Sequence, residues 1–185
     1  NKGKVEEYKT LLGSSFNPLP LFELGINLDV DETGSTYEEN ALIKLNFLKG
    51  KCNFPIITDD SGIEVEYLDG RPGIYSARYA GDNALDKDNI DKLLYELSGV
   101  KLRRAKFVCT IAYWNPRNNS EPIISSGECD GEILEKRKGI SGFGYDPIFY
   151  VPILQRTFAE LAKEEKNTLS HRYEAVKELL KRINI

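Results

Sequence analysis

The chain has 185 residues, 41% hydrophobic and 29% charged, a composition that fits one globular domain and excludes disorder, a collagen-like repeat or a disulfide scaffold. A net charge of −4 provides no basic surplus for a nucleic acid polymer, and no apolar run approaches the roughly 18 residues that span a bilayer. Neither a secretion signal nor a membrane partner is expected, and a cytoplasmic setting follows. Cys52, Cys109 and Cys129 lack metal-ligand spacing and read as reduced thiols. The chain contains no Met, so residues are expected to precede Asn1.

Helices and strands interleave along the chain, which predicts an α/β fold with a mixed sheet. Val5 to Leu12 reads as a helix, and Thr36 with Glu39 forms a capping box ahead of Ala41, Leu42, Leu45 and Leu48, with Gly50 as the stop. Pro55 to Thr58 is a short apolar segment running into the turn formers Asp59-Asp60-Ser61-Gly62, and Ile63 to Leu68 alternates as a strand. The acidic pair is therefore expected at a strand end.

Asp86 to Leu97 places Ile90, Leu93, Leu94 and Leu97 on one helical face, and Ala105 to Trp114 reads as a long strand with Cys109 buried in it. A turn at 115–119 leads to a strand from Ile123 to Ser126, with further strands at Gly131 to Leu134 and Ile148 to Val151. Thr157 and Glu160 form a second capping box opening a helix, and the last helix runs from His171 to Ile183.

Five stretches carry possible chemistry. Two adjacent carboxylates, Asp59 and Asp60, can turn an oxygen cluster toward a hard cation, with Asp31 and Glu32 as further acids; taken alone, the same residues also make Asx turns. Gly139 to Pro147 combines three glycines, which let backbone approach a ligand, with Phe143 and Tyr145, which can stack on a base. A dinucleotide fingerprint is excluded there, because an apolar strand follows where a helix should start. His171 and Arg172 fall in the first turn of a helix, the wrong end for cations unless an anion lies beside them. Asn1 to Lys4 suits phosphate contact, and Arg71 to Tyr79 is a long Gly and Pro loop with two Arg.

In this order the stretches resemble the inosine triphosphate pyrophosphatase family, of the Ham1 and RdgB type, over essentially the whole chain. Asn1 to Lys4 is similar to the end of the family's T-x-N-x-x-K motif, and four further stretches to its other signatures: Asp31 to Lys44 (DETGSTYEENALIK), Asp59 to Gly62 (DDSG), Pro72 to Arg78 (PGIYSAR) and Gly142 to Pro147 (GFGYDP). Lys166 to Arg172 (KNTLSHR) completes the set.

The resemblance implies an elongated mixed central sheet flanked by helices in two lobes, a nucleotide-binding cleft, a homodimer and Mg²⁺. It also implies hydrolysis of non-standard purine nucleoside triphosphates such as ITP, dITP and XTP to the monophosphate and pyrophosphate. Asp60 would be the essential carboxylate, as base or metal ligand, with Asp31 or Glu32 as a second ligand. Asn1, Lys4, Lys44 and Lys166 would hold the triphosphate, and Ser61 would touch substrate. Phe143, Gly144, Tyr145 and Asp146 would enclose base and sugar. His171 and Arg172 would donate to the purine O6, which rejects adenine because its 6-amino group also presents donors. Two other readings stay open: a nucleotide-sensing module without turnover, and a Maf-type pyrophosphatase acting on pyrimidine or modified nucleotides.

Overall fold

The computed structural model describes residues 2–13, 16–28, 30–118 and 121–184. Among the described residues the α-helices are α1 (Lys2–Leu11), α2 (Tyr37–Leu48), α3 (Asp86–Glu96), α4 (Lys163–Lys166) and α5 (His171–Arg182). The strands are β1 (Ile56–Val65), β2 (Arg104–Trp114), β3 (Ile123–Ile133), β4 (Phe149–Val151) and β5 (Arg156–Thr157). They form one sheet in the order β1-β2-β3-β4-β5, with β3 antiparallel to β4 and β4 antiparallel to β5. The α/β class expected from the sequence is the class observed.

The chain divides into two compact units, residues 1–60, 109–127 and 172–185 in the first and 61–108 and 128–171 in the second. In the first unit β1 and β2 are sandwiched. Tyr8 and Leu12 from the α1 region pack with Cys109, Ile111 and Tyr113 of β2 and with Ala175, Val176 and Leu179 of α5. Ala41, Leu45 and Leu48 of α2 pack with Ile56 and Ala112. Cys109, Ile111 and Tyr113 thus share one core while Ala112 belongs to the other, as the two-residue period of a strand requires.

The second unit has a single core in which Ile63 and Val65 of β1 meet Ile90 and Leu93 of α3, Phe107 of β2, Ile133 of β3 and Phe149 of β4. Phe107 lies 4.5 Å from Phe149 and stacks on Phe158 at 5.7 Å, centroid to centroid. Rings offset in this way add to the burial of their own area.

Helix α2 starts as its sequence dictates. Thr36 caps it by accepting the Glu39 N–H, but the Glu39 carboxylate reaches Ser35 N at 2.6 Å and Ser35 Oγ at 2.8 Å, so the box is shifted by one residue. Its buried residues, Asn40, Ala41, Lys44, Leu45 and Leu48, form one stripe at helical spacing.

Three expectations change. Asp59-Asp60-Ser61-Gly62 is not a turn at a strand end but the middle of the ten-residue β1. Its polar side chains are taken by distant partners, and Gly62 lets another segment press in: a Cβ there would lie 2.2 Å from the Gly73 carbonyl oxygen and 2.6 Å from Ser76 Oγ. The two strands expected at 123–126 and 131–134 are one, β3, because Gly131 admits the Phe149 ring where a Cβ would stand, 2.6 Å away, and pairing runs through it. The Thr157 and Glu160 box opens only a 3₁₀ turn, Phe158–Glu160, since Leu161 returns to extended backbone before α4.

Candidate active site

Strand geometry decides what the acidic pair can do. Side chains alternate between faces, so the neighbours Asp59 and Asp60 point to opposite sides of β1 and cannot form one oxygen cluster, contrary to the expectation from their adjacency. Each has a separate set of partners in the first unit.

Asp59 faces α1 and α5. Lys4 Nζ lies 2.9 Å from its Oδ2 and Arg172 Nη2 3.4 Å from the same oxygen, and the Cys109 thiol approaches it at 3.8 Å. Arg172 is 1% exposed and also donates to Glu7. Burial alone would raise the Asp59 carboxyl, but Lys4 and Arg172 outweigh it and hold it well below the usual carboxylate range. Arg172 at the start of α5 therefore has its anions: the two carboxylates that make a cation tolerable there.

Asp60 faces α2 and is 5% exposed. Lys44 Nζ lies 3.2 Å from Oδ1, and Asn40 Nδ2 donates to Oδ2 at 3.1 Å. Lys44 also donates to Glu32 at 3.0 Å. Burial raises the Asp60 carboxyl; Lys44 opposes that, while the charge of Glu32 adds to it. Lys44, facing two carboxylates, is held above its ordinary value although burial pulls it down. Of the two acids left open, Glu32 is the one on this cluster; Asp31 is exposed.

These pairs join three cations, Lys4, Lys44 and Arg172, to four carboxylates, Glu7, Glu32, Asp59 and Asp60. Lys4 and Arg172 balance Asp59 and Glu7, so the one surplus negative charge falls on the face that holds Glu32, Asp60 and Lys44, where hard oxygen charge suits a small divalent cation. No group of three or more His, Cys, Asp or Glu poised as metal ligands occurs among the described residues. Glu32 and Asp60 are the two carboxylates that would take a hard cation on this face.

The second unit gathers the other candidates. Asp146, 2% exposed, accepts Lys166 Nζ at 2.6 Å and the Phe143 N–H at 3.0 Å. The Lys166 ammonium lies 4.9 Å from the Phe143 ring centroid and 5.3 Å from that of Phe158. Gly142, at φ +80°, is required, since a Cβ would fall 2.0 Å from Asp146 Oδ2. Gly144 N–H is held by Asp86 at 2.6 Å, and the Tyr145 hydroxyl donates to the Ser76 carbonyl at 2.9 Å. His171, 4% exposed, stacks on Phe107 at 4.7 Å. Ser61 lies half-buried on β1.

The structure thus places Lys4, Lys44, Glu32, Asp60 and Arg172 in one unit, and Ser61, Phe143 to Asp146, Lys166 and His171 in the other. Lys166, expected with the phosphate-binding lysines, is bonded instead to Asp146 under Phe143. Asn1 lies outside the described residues. Sequence reasoning missed Asn40, Glu7 and Ser76. Only Asn40 leaves a trace in the sequence, being four residues before Lys44 on the apolar stripe of α2, where an amide needs a buried partner.

The Ham1 family model matches residues 1–182. The chain is 49% identical over 182 residues to the dITP/XTP pyrophosphatase of Halalkalibacterium halodurans, covering 97% of this chain and 93% of that protein. It is 47% identical over 176 residues to the Staphylococcus aureus dITP/XTP pyrophosphatase, covering 95% and 89%. The solved structure of the Staphylococcus aureus Ham1 protein superimposes with a TM-score of 0.87 at 45% identity, over 100% of this chain and 94% of that one. With its signatures in order and these similarities over nearly its full length, the chain belongs to the Ham1 family.

Proposed function

We propose that this chain is a nucleoside triphosphate pyrophosphatase that hydrolyses non-standard purine nucleotides, dITP, ITP and XTP, to the monophosphate and pyrophosphate. The observation that carries it is Asp60: a buried carboxylate gripped on both oxygens, beside Glu32 and Lys44, in a chain nearly half identical to proteins named dITP/XTP pyrophosphatase.

Water attacks the α-phosphorus, the bond from that phosphorus to the bridging oxygen breaks, and the electron pair leaves with pyrophosphate. Asp60 accepts the proton of the attacking water, a task suited to a carboxyl raised above its ordinary value. Lys44 and Lys4 stabilise the negative charge that grows on the phosphate oxygens. Glu32 and Asp60 would hold Mg²⁺, which when bound neutralises phosphate charge. Phe143, Gly144, Tyr145 and Asp146 enclose base and sugar, with Lys166 locked to Asp146. By the resemblance His171 and Arg172 would donate to O6, Arg172 from the place where Asp59 and Glu7 hold it, and adenine would be rejected because donor would meet donor. A homodimer in the cytoplasm, as in the resemblance, completes the reading.

Pyrophosphate release from dITP, ITP, XTP, GTP, ATP and dTTP, with and without Mg²⁺, tests it. The expected result is turnover of dITP, ITP and XTP only, lost without Mg²⁺. Binding without cleavage would make the chain a sensing module, and preference for dTTP would place it with the Maf-type enzymes. Sedimentation velocity reads the dimer.

A further inference from the structure

Asn40 is fully buried at 0% exposure, in the first turn of α2 on its buried stripe, and its amide spans two segments. Oδ1 accepts the Gly34 N–H at 2.9 Å, which turns Nδ2 onto Asp60 Oδ2 at 3.1 Å. One turn further along α2, Lys44 takes the other Asp60 oxygen and Glu32. An ammonium is a rotatable point charge and holds a carboxylate at a distance without fixing its plane. A planar amide anchored at its far end does fix it, because its donor direction is set by the bond its acceptor makes.

Gly34 is shaped for this contact. A Cβ at that position would fall 2.7 Å from Asn40 Oδ1, 2.7 Å from Glu39 Cβ and 2.9 Å from Asn40 N, so any side chain pushes the 31–34 segment off the amide. The same segment carries Glu32. One side chain therefore sets the orientation of Asp60 and the seat of the turn bearing its neighbouring carboxylate.

Resting on the function proposed above, we infer that Asn40 is a positioning residue for the hydrolysis, orienting Asp60 and docking the Glu32 turn against it, and that Gly34 is the position that permits this. Asn40→Asp would keep the shape but replace the donor by an acceptor facing a carboxylate. Asn40→Ala removes the bridge, and Gly34→Ala displaces it while leaving Asn40 and Asp60 in place.

The test uses the full chain. Wild type, Asn40→Ala, Asn40→Asp and Gly34→Ala are assayed for kcat and KM with dITP at saturating Mg²⁺, their folded fraction at the assay temperature is read by circular dichroism, and the Asn40→Ala structure is solved. The expected result is a kcat lowered roughly 10- to 100-fold in all three, as misplacement of a reacting group by about 1 Å produces, with KM within about threefold of wild type. The Asp60 carboxylate is rotated in the Asn40→Ala crystal. Wild-type kcat in Gly34→Ala and in a folded Asn40 variant, a loss confined to KM, a loss that tracks the unfolded fraction, or an unmoved Asp60 overturns the inference. An active wild type beside unaffected variants sinks the role of Asn40 alone. An inactive wild type sinks the functional reading and this inference with it.

Discussion

The charged cluster of the first unit and that of the second are built on different plans. In the first, cations are shared: Lys44 serves Glu32 and Asp60, and Arg172 serves Glu7 and Asp59, with Lys4 and Glu32 side chains 22% and 28% exposed. In the second, Asp146 and Lys166 form a buried pair, 3% and 8% exposed, with two aromatic rings beside the ammonium and a backbone N–H on the carboxylate. A shared cation can be redistributed when phosphate or a metal arrives, whereas a sealed pair serves as a fixed wall. On the function proposed above, chemistry would belong to the first plan and shape to the second.

The most damaging way to break the first plan is Asp60→Asn, which keeps the size but turns one of two acceptors into a donor facing Lys44 or Asn40 and removes the carboxylate proposed as the base. Pyrophosphate release from dITP should fall by roughly 10²- to 10⁴-fold while the protein stays folded. Unchanged turnover would move the chemistry away from this cluster.

Cys109 probes how dry the Asp59 side of that cluster is. Burial pushes its thiol up from 9.0 to about 12, with the Asp59 charge adding to the effect, so at pH 8 it holds roughly a thousandfold less thiolate than an ordinary thiol. Ellman's reagent should modify Cys52 and Cys129 in the folded chain, and Cys109 only on unfolding. A folded value above the unfolded one gives stability fully present below pH 9.0 and lost as pH rises toward about 12. Cys109→Ala should flatten that alkaline slope in urea titrations.

Asp146→Ala breaks the sealed pair and leaves the Lys166 ammonium buried against Phe143 and Phe158. Loss of one partner of a buried pair costs about 3–5 kcal/mol, readable as a lower urea midpoint. A loss of under about 1 kcal/mol would mean that the pair behaves as an exposed one. The smallest effect is expected from Thr36→Ala, which removes the cap of the helix that carries Asn40 and Lys44. About 0.5–2 kcal/mol of stability should go, with kcat little changed in the folded fraction.

Much of this was legible in the residues. The Thr36 cap and the apolar spacing of Ala41, Leu45 and Leu48 are local, since a hydroxyl three residues before a backbone N–H and a 3.6-residue period act within one segment. The same holds for α3, for the long β2 and for the signatures that carry Asp60, Phe143 and Lys166. The fate of DDSG was not local. Asp, Ser and Gly favour turns when their side chains bond nearby backbone, and only the arrival of Lys4 and Arg172 on one face, and of Lys44 and Asn40 on the other, drew those side chains away and let β1 run through.

By itself, then, the sequence determined the fold class, the Thr36-capped helix and the family, because these rest on period, capping and motif order along the chain. Tertiary structure alone decided that Asp59 and Asp60 face opposite ways, that Glu32 rather than Asp31 shares Lys44, that Lys166 pairs with Asp146, and that Asn40 steers Asp60. Ion pairs form between residues far apart in the chain, and which cation meets which carboxylate depends on the packing of helices against the two faces of a strand.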